Sequence, residues 1–243
     1  MDYVKDIFNK RINDIETYFE LVSNIEEALG EGEAKILAKD SYYKIKVDQQ
    51  KMIYAGVYMH LYNLIESTVT TLLQAVERHA QDGISGELKS LTDNMRVLYV
   101  KSVIDAGSVE GEDKRLEKAL SLFRQTLSLE PFKIKIPPGG GGNWEIKRIE
   151  EVSKKIGVRL TSIPRGVRGK VNRPYRNGDK PFYYIKVIRN KLAHGELSFV
   201  ECGDSHVASD LRELIDTVKE YLTHLINAYD IFILNHQYKL AGA

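Results

Sequence analysis

Residues 4–29 read VKDIFNKRINDIETYFELVSNIEEAL, with apolar side chains at Val4, Phe8, Ile12, Ile15, Phe19, Val22, Ile25 and Leu29. Steps of three and four put all eight on one stripe, because each helical residue turns about 100° around the axis. Gly30 and Gly32 predict the end of this helix. The same spacing recurs downstream. A long helix is predicted from near Asp48 to His79, with Ile53, Val57, Leu61, Leu64, Ile65, Leu72 and Val76 inward, stopping before Asp82-Gly83. Shorter patterns cover Leu88 to Ile104 and Leu116 to Leu127, the second opened by the acidic stretch Glu110 to Asp113, which suits a helix N-terminus.

Further on, Trp144, Ile146, Ile149, Val152 and Ile156 pattern a short helix closed by Gly157. Pro181 suits a first turn, and Phe182, Ile185, Ile188 and Leu192 continue that helix up to Gly195. Asp204 or Ser205 is the expected cap of a last long helix whose inner face runs from Val207 to Tyr229. The fold class is all-α, a bundle of long antiparallel helices. Two stretches fall outside the pattern: 137–143, a Pro/Gly hinge with four consecutive glycines, and 158–180, a basic loop with room for a short strand pair. We read residues 1–243 as one domain, since the part after the hinge is too short to bury its own long helices.

The chain has 243 residues, 43% hydrophobic and 28% charged, enough to bury a core and to exclude a disordered, collagen-like or disulfide-stapled protein. One cysteine, Cys202, rules out an internal disulfide and a cysteine-based zinc site, and sits in what reads as a polar turn. The start of the chain has no signal-peptide pattern, and the most apolar stretch, Ile53 to Ile65, is far short of the ~20 residues that span a bilayer. The expected setting is cytoplasmic, without membrane association.

The charge, 35 Lys+Arg against 34 Asp+Glu, is balanced overall but segregated locally. Between Trp144 and Lys191 there are 14 basic and 4 acidic residues, whereas the first 30 residues carry 3 basic and 7 acidic. Such segregation suits a phosphate-binding face on an acidic body. Arg165, Arg168, Lys170, Arg173, Tyr175 and Arg176 combine guanidinium, ammonium and ring groups, as single-stranded nucleic acid requires. Composition equally allows a solvated basic loop with no ligand.

The chemistry concentrates in Arg189-Asn190-Lys191-Leu192-Ala193-His194, in the last turns of the helix before Gly195. Asn190 and His194 are one turn apart on the same side, and the long Arg189 side chain borders that side. A helix C-terminus favours cations, which assists protonation of His194; the same fact allows both residues to do no more than complement the helix dipole. His60, in a helix rich in Tyr54, Tyr58 and Tyr62, reads as a core histidine. His79, His206, His224 and His236 lack metal-ligand spacing, and the glycine run lacks the Gly-Lys-Ser/Thr of a phosphate loop. No metal and no cofactor is expected.

Arg-x4-His at a helix end, with a polar residue directly after the Arg, resembles the signature of the HEPN superfamily. Tyr62-Asn-Leu-Ile-Glu-Ser67 and the Gly-rich stretch leading into Trp144-Glu-Ile-Lys-Arg-Ile-Glu-Glu151 make the chain most similar to the MAE-type HEPN-like nucleases. The resemblance implies a homodimer in which two motifs face each other and cut RNA without a metal. Carried over, Arg189 and His194 are catalytic, Asn190 orients either of them, and Lys191 holds a phosphate outside the centre; Glu66 on the long early helix reads either as a buried polar contact or as a supporting partner of the site. It also implies a setting in bacterial defence or a toxin system, with an antitoxin or inhibitor protein as possible partner. A noncatalytic HEPN module that binds nucleic acid or protein is the alternative, and a magnesium-dependent, DNA-directed nuclease a third.

Overall fold

The computed structural model describes residues 1–83, 88–104, 111–127, 134–136, 143–204 and 206–240. The glycine run 139–142 of the expected hinge and the candidate cap Ser205 lie outside them. The described part is helical apart from one hairpin, as the periodicity predicts. Helix α1 (Asp2–Gly30) buries Val4, Phe8, Ile12, Ile15, Phe19, Val22 and Ile25, seven of the eight stripe positions, against α2 (Val47–Gly83). At 37 residues α2 is roughly 55 Å long and serves as the axis of the bundle. Its buried side chains, Tyr54, Tyr58, Leu61, Tyr62, Ile65, Leu72 and Val76 among them, point in several directions because α1 and three later helices all pack on it. A helix surrounded in this way has little need of a polar face.

A short 3₁₀ turn (Leu88–Ser90) leads into α3 (Asp93–Ile104), which packs against α4 (Glu112–Leu127). Then come α5 (Ile146–Ile156), α6 (Arg165–Asn172), α7 (Pro181–His194), α8 (Phe199–Gly203) and α9 (Ala208–Leu234). Helix α9 lies across α1, α2, α6 and α7, and fourteen of its residues are buried. No helix among the described residues is long and apolar enough to cross a membrane.

Four local expectations are corrected. The segment 158–180 is not a loop: it holds a 3₁₀ turn (Leu160–Ser162) and α6, and its only strand-like pairing among the described residues is an isolated bridge between Arg176 and Asp179. Pro164, Gly166 and Gly169 read as breakers, but Pro164 stands just before the first turn, and Val167 and Val171 bury one turn apart as α6 packs on α9. Packing of one face outweighs poor intrinsic propensity in so short a helix.

A small two-stranded hairpin, β1 (Lys35–Ala38) with β2 (Ser41–Lys44), is present where the periodicity predicts no element, within a fold that is all-α. All of β2 is exposed, so no alternation of apolar and polar residues betrays it. Cys202 is buried inside α8 rather than lying in a polar turn, and burial pushes its thiol up to about 11.

The last correction concerns the start of α9. Asp204 follows the end of α8, and the position before α9 is Val207, which has no capping side chain. The Ala208 N–H instead donates to the Glu26 carboxylate of α1 at 2.7 Å, and the same carboxylate accepts the Tyr54 hydroxyl of α2. One acid on the first helix thereby satisfies an orphan donor of the last.

Helix α8 is held by a capping box: the Ser198 hydroxyl accepts from the Glu201 N–H at 3.1 Å, and the Glu201 carboxylate accepts from the Ser198 N–H at 2.8 Å. Below it, the buried His206 imidazole shares a hydrogen bond with the Tyr58 hydroxyl through Nε2. Burial, with the nearby Arg176 charge, pulls His206 down from 6.5 to about 4 against the weaker opposing pull of Asp210. The unfolded chain therefore binds the extra proton between these values. Stability is complete above pH 6.5 and is expected to fall as pH drops through 6.5 toward 4, by at most about 3 kcal/mol. Glu16, held at about 2 by Arg212 and Lys219, titrates below this window. Urea midpoints measured at pH 7 and pH 5 should differ in the native protein and differ less in His206→Gln, the remainder coming from His60 and His79, which burial also lowers; a variant that keeps the full pH slope would place its origin elsewhere.

Candidate functional site

Helix α7 begins with Pro181 at its first turn and buries Phe182, Tyr184, Ile185, Ile188 and Leu192 along one side. It ends at Gly195, whose φ of +72° is a left-handed conformation that a side chain would strain. The chain reverses there, and the Lys191 carbonyl accepts the Glu196 N–H at 2.9 Å. The last turn thus stops abruptly and presents Lys191 and His194 to solvent, both exposed.

Arg189, one turn earlier, goes the other way. Its guanidinium carbon lies 4.4 Å from the centre of the Tyr62 ring on α2, and its Nη1 donates to Asn190 Oδ1 at 2.9 Å. Asn190 Nδ2 in turn donates to Asn143 Oδ1 at 3.1 Å. Stacking on a buried ring fixes a guanidinium without neutralising it. Arg189 pairs with no carboxylate among the described residues, so its charge remains available to an anion.

Tyr62 is fully buried, and its phenol titrates above the ordinary range because of that burial, with the Glu66 charge adding to the rise and the Trp144 backbone and Arg189 opposing it. Three stretches far apart in sequence therefore converge: Tyr62 to Glu66 in the middle of α2, Asn143-Trp144 just before α5, and Arg189-Asn190 on α7. Tyr62 and Asn143 have no site role legible from spacing alone. The nearest sequence signal is that Asn143 directly follows the glycine run.

Most of the basic residues of 165–176 lie toward the start of α7. Lys170, Arg173 and Tyr175 gather around Pro181, the opposite end from His194 of a helix 14 residues and roughly 20 Å long. Several are also engaged. Lys170 pairs with Glu220 at 2.7 Å and Arg176 with Asp210 at 2.6 Å. The half-buried Tyr175 ring meets Tyr184 edge to face, 5.5 Å between centres. Arg165 and Arg173 are exposed, and Arg168 is half-buried. His60 is half-buried with its ring 4.6 Å from that of Tyr18, a packing role.

Comparison with known proteins adds one match: an MAE-type HEPN family model covers residues 3–238. No curated protein and no solved structure matches the chain. The family comprises HEPN-type nucleases and nucleic-acid-binding modules, and its members are generally associated with ribonuclease activity. Since the match runs from the first turn of α1 to Tyr238, beyond the end of α9, and takes in the whole Arg189 to His194 motif, the chain belongs to the HEPN superfamily.

Proposed function

We propose that the protein is a metal-independent endoribonuclease whose active centre forms when two copies bring their α7 tips together. One observation carries this reading: a guanidinium held over Tyr62, with no carboxylate partner among the described residues, lies in the same two turns as an exposed imidazole. Five helical residues turn the chain by about 140°, so Arg189 and His194 diverge around α7 within one copy. A second copy, facing the first, supplies what one tip leaves out.

RNA carries its own nucleophile. The ribose 2′-oxygen attacks phosphorus, gives its proton to solvent water, and forms the new P–O2′ bond, while the P–O5′ bond breaks and the leaving 5′-oxygen takes a proton from His194, which is then reprotonated from solvent. The products are a 2′,3′-cyclic phosphate and a 5′-hydroxyl. Arg189 holds the nonbridging oxygens with its fork as charge builds on them. Asn190 keeps the guanidinium oriented, and Lys191, exposed beside it, takes a phosphate outside the centre. Arg165, Arg168, Lys170, Arg173, Tyr175 and Arg176 would meet RNA only away from the cut. In a bacterial defence or toxin setting, an antitoxin or inhibitor would silence such an enzyme by covering the tip.

Sedimentation is the first check. At micromolar concentration the expected particle has twice the 27.7 kDa chain mass. A monomer that remains monomeric with RNA bound would refute the composite site. The noncatalytic reading predicts RNA binding without cyclic-phosphate ends in EDTA, by a protein that retains the Arg189 to Tyr62 contact.

A further inference from the structure

A cavity of about 500 Å³ opens at the other end of α7, between the start of α5, the end of α6 and the turn before Pro181. Its lining includes Lys147, Glu150, Asn172, Asp179, Lys180 and Tyr183. It is continuous in direction with the proposed catalytic tip. Tyr183 and His194 are eleven residues apart, which places them about 20° apart around the helix and roughly 16 Å apart along it. Asn190 lies within the same narrow sector. A strand laid along this face would run from the tip into the cavity, a distance of about five nucleotides if stacked at ~3.4 Å each and fewer if stretched.

We propose that this cavity is a specificity subsite for one RNA base, with guanine preferred and uracil least favoured. The assignment rests on the ribonuclease reading of the α7 tip and adds the recognition that reading lacks. Charge decides which part of a nucleotide enters. The Glu145 carboxylate is occupied by Lys186 at 3.1 Å, but those of Glu150 and Asp179 make no hydrogen bond or ion pair among the described residues. Two free carboxylates repel a phosphate and accept hydrogen bonds from a base.

Among the bases, guanine offers an N–H and an amino group side by side, a match for both oxygens of one carboxylate. Cytosine and adenine each offer an amino group, and uracil places carbonyl acceptors on either side of its single N–H. Tyr183, 41% exposed, supplies a ring for stacking, with the Lys186 ammonium 4.4 Å from its centre. Lys147, exposed at the rim, and Lys180, which donates to Asn172 at 2.8 Å and pairs with no carboxylate among the described residues, are placed for the flanking phosphates.

The test uses fluorescein-labelled single-stranded RNAs identical except for G, A, C or U at each position within six nucleotides of the cut. Cleavage is read with the native protein, and binding by anisotropy with His194→Ala. The expected result is one position, several nucleotides from the cut, where G is favoured over U about tenfold. Glu150→Gln/Asp179→Asn together should abolish that preference, and Tyr183→Ala should weaken binding about tenfold while Tyr183→Phe retains it. A base preference in binding without cleavage would uphold the subsite and overturn the nuclease. Cleavage with the same base profile in native and Glu150→Gln/Asp179→Asn proteins would overturn the subsite and leave the nuclease standing. Absence of both binding and cleavage would overturn the two together.

Discussion

Arg189→Ala and His194→Ala are each expected to reduce RNA cleavage in EDTA by at least a hundredfold while leaving a folded dimer. Proton transfer to a leaving oxygen by a positioned imidazole contributes roughly 10²- to 10⁴-fold, and loss of one pre-placed donor to a developing phosphorane charge costs about 10²- to 10³-fold. Because the two groups serve one transition state, the double variant should be little worse than the poorer single one. Arg189→Lys distinguishes charge from shape. It keeps the cation but loses the fork and the guanidinium's contact over the Tyr62 ring, so a large part of the deficit should remain. His194 is exposed at a helix end, where its removal costs at most about 1 kcal/mol, and a thermal melt verifies that the fold survives. Undiminished cleavage by either alanine variant, once purified free of host nucleases, would remove these residues from the chemistry.

The largest expected effect on stability is at Gly203. A Cβ built there would stand 2.1 Å from the Lys51 carbonyl oxygen and 2.6 Å from its Cα, both backbone atoms of α2. No side chain can swing aside to relieve such contacts, so the whole of α8 would have to lift from α2. That movement would disturb the ion pair between Lys51 and Asp204 and the seating of Cys202. Gly203→Ala is expected to destabilise the protein by about 3 kcal/mol, the upper end of the range for overpacking. For a chain of this size that lowers the melting temperature by roughly 6–12 °C. A melting temperature unchanged within 2 °C would show that α8 is not held this closely.

How much of this was legible in the sequence follows from where the apolar residues face. In α1 and α7 the repeats of three and four name nearly every inward residue. In α2 and α9 they miss the buried Tyr54, Tyr58, Tyr62, Tyr221 and Phe232, and Ile53 and Val207, expected inward, are half-buried and exposed respectively. Helix α6 is illegible because its two buried valines are outnumbered by glycines, prolines and cations that elsewhere mean loop. The hairpin is illegible because neither face of β2 is covered. For the site, the motif marks Arg189 and His194, but the ring beneath the guanidinium and the amide beyond Asn190 come from segments more than forty residues away in the chain. Proximity in sequence also misleads: Lys170, Arg173 and Tyr175, close to the motif in the chain, gather at Pro181, a whole helix away from His194.

The carboxylate of Glu26, met at once by a phenol of the second helix and a backbone amide of the ninth, closes a ring of 182 residues. Contacts spanning so much chain form late and slow folding, since the entropy of closure must be overcome before they reward it. On the ribosome, α1 and α2 emerge well before residue 208, so during synthesis the acid waits for its last donor while about 180 further residues are added.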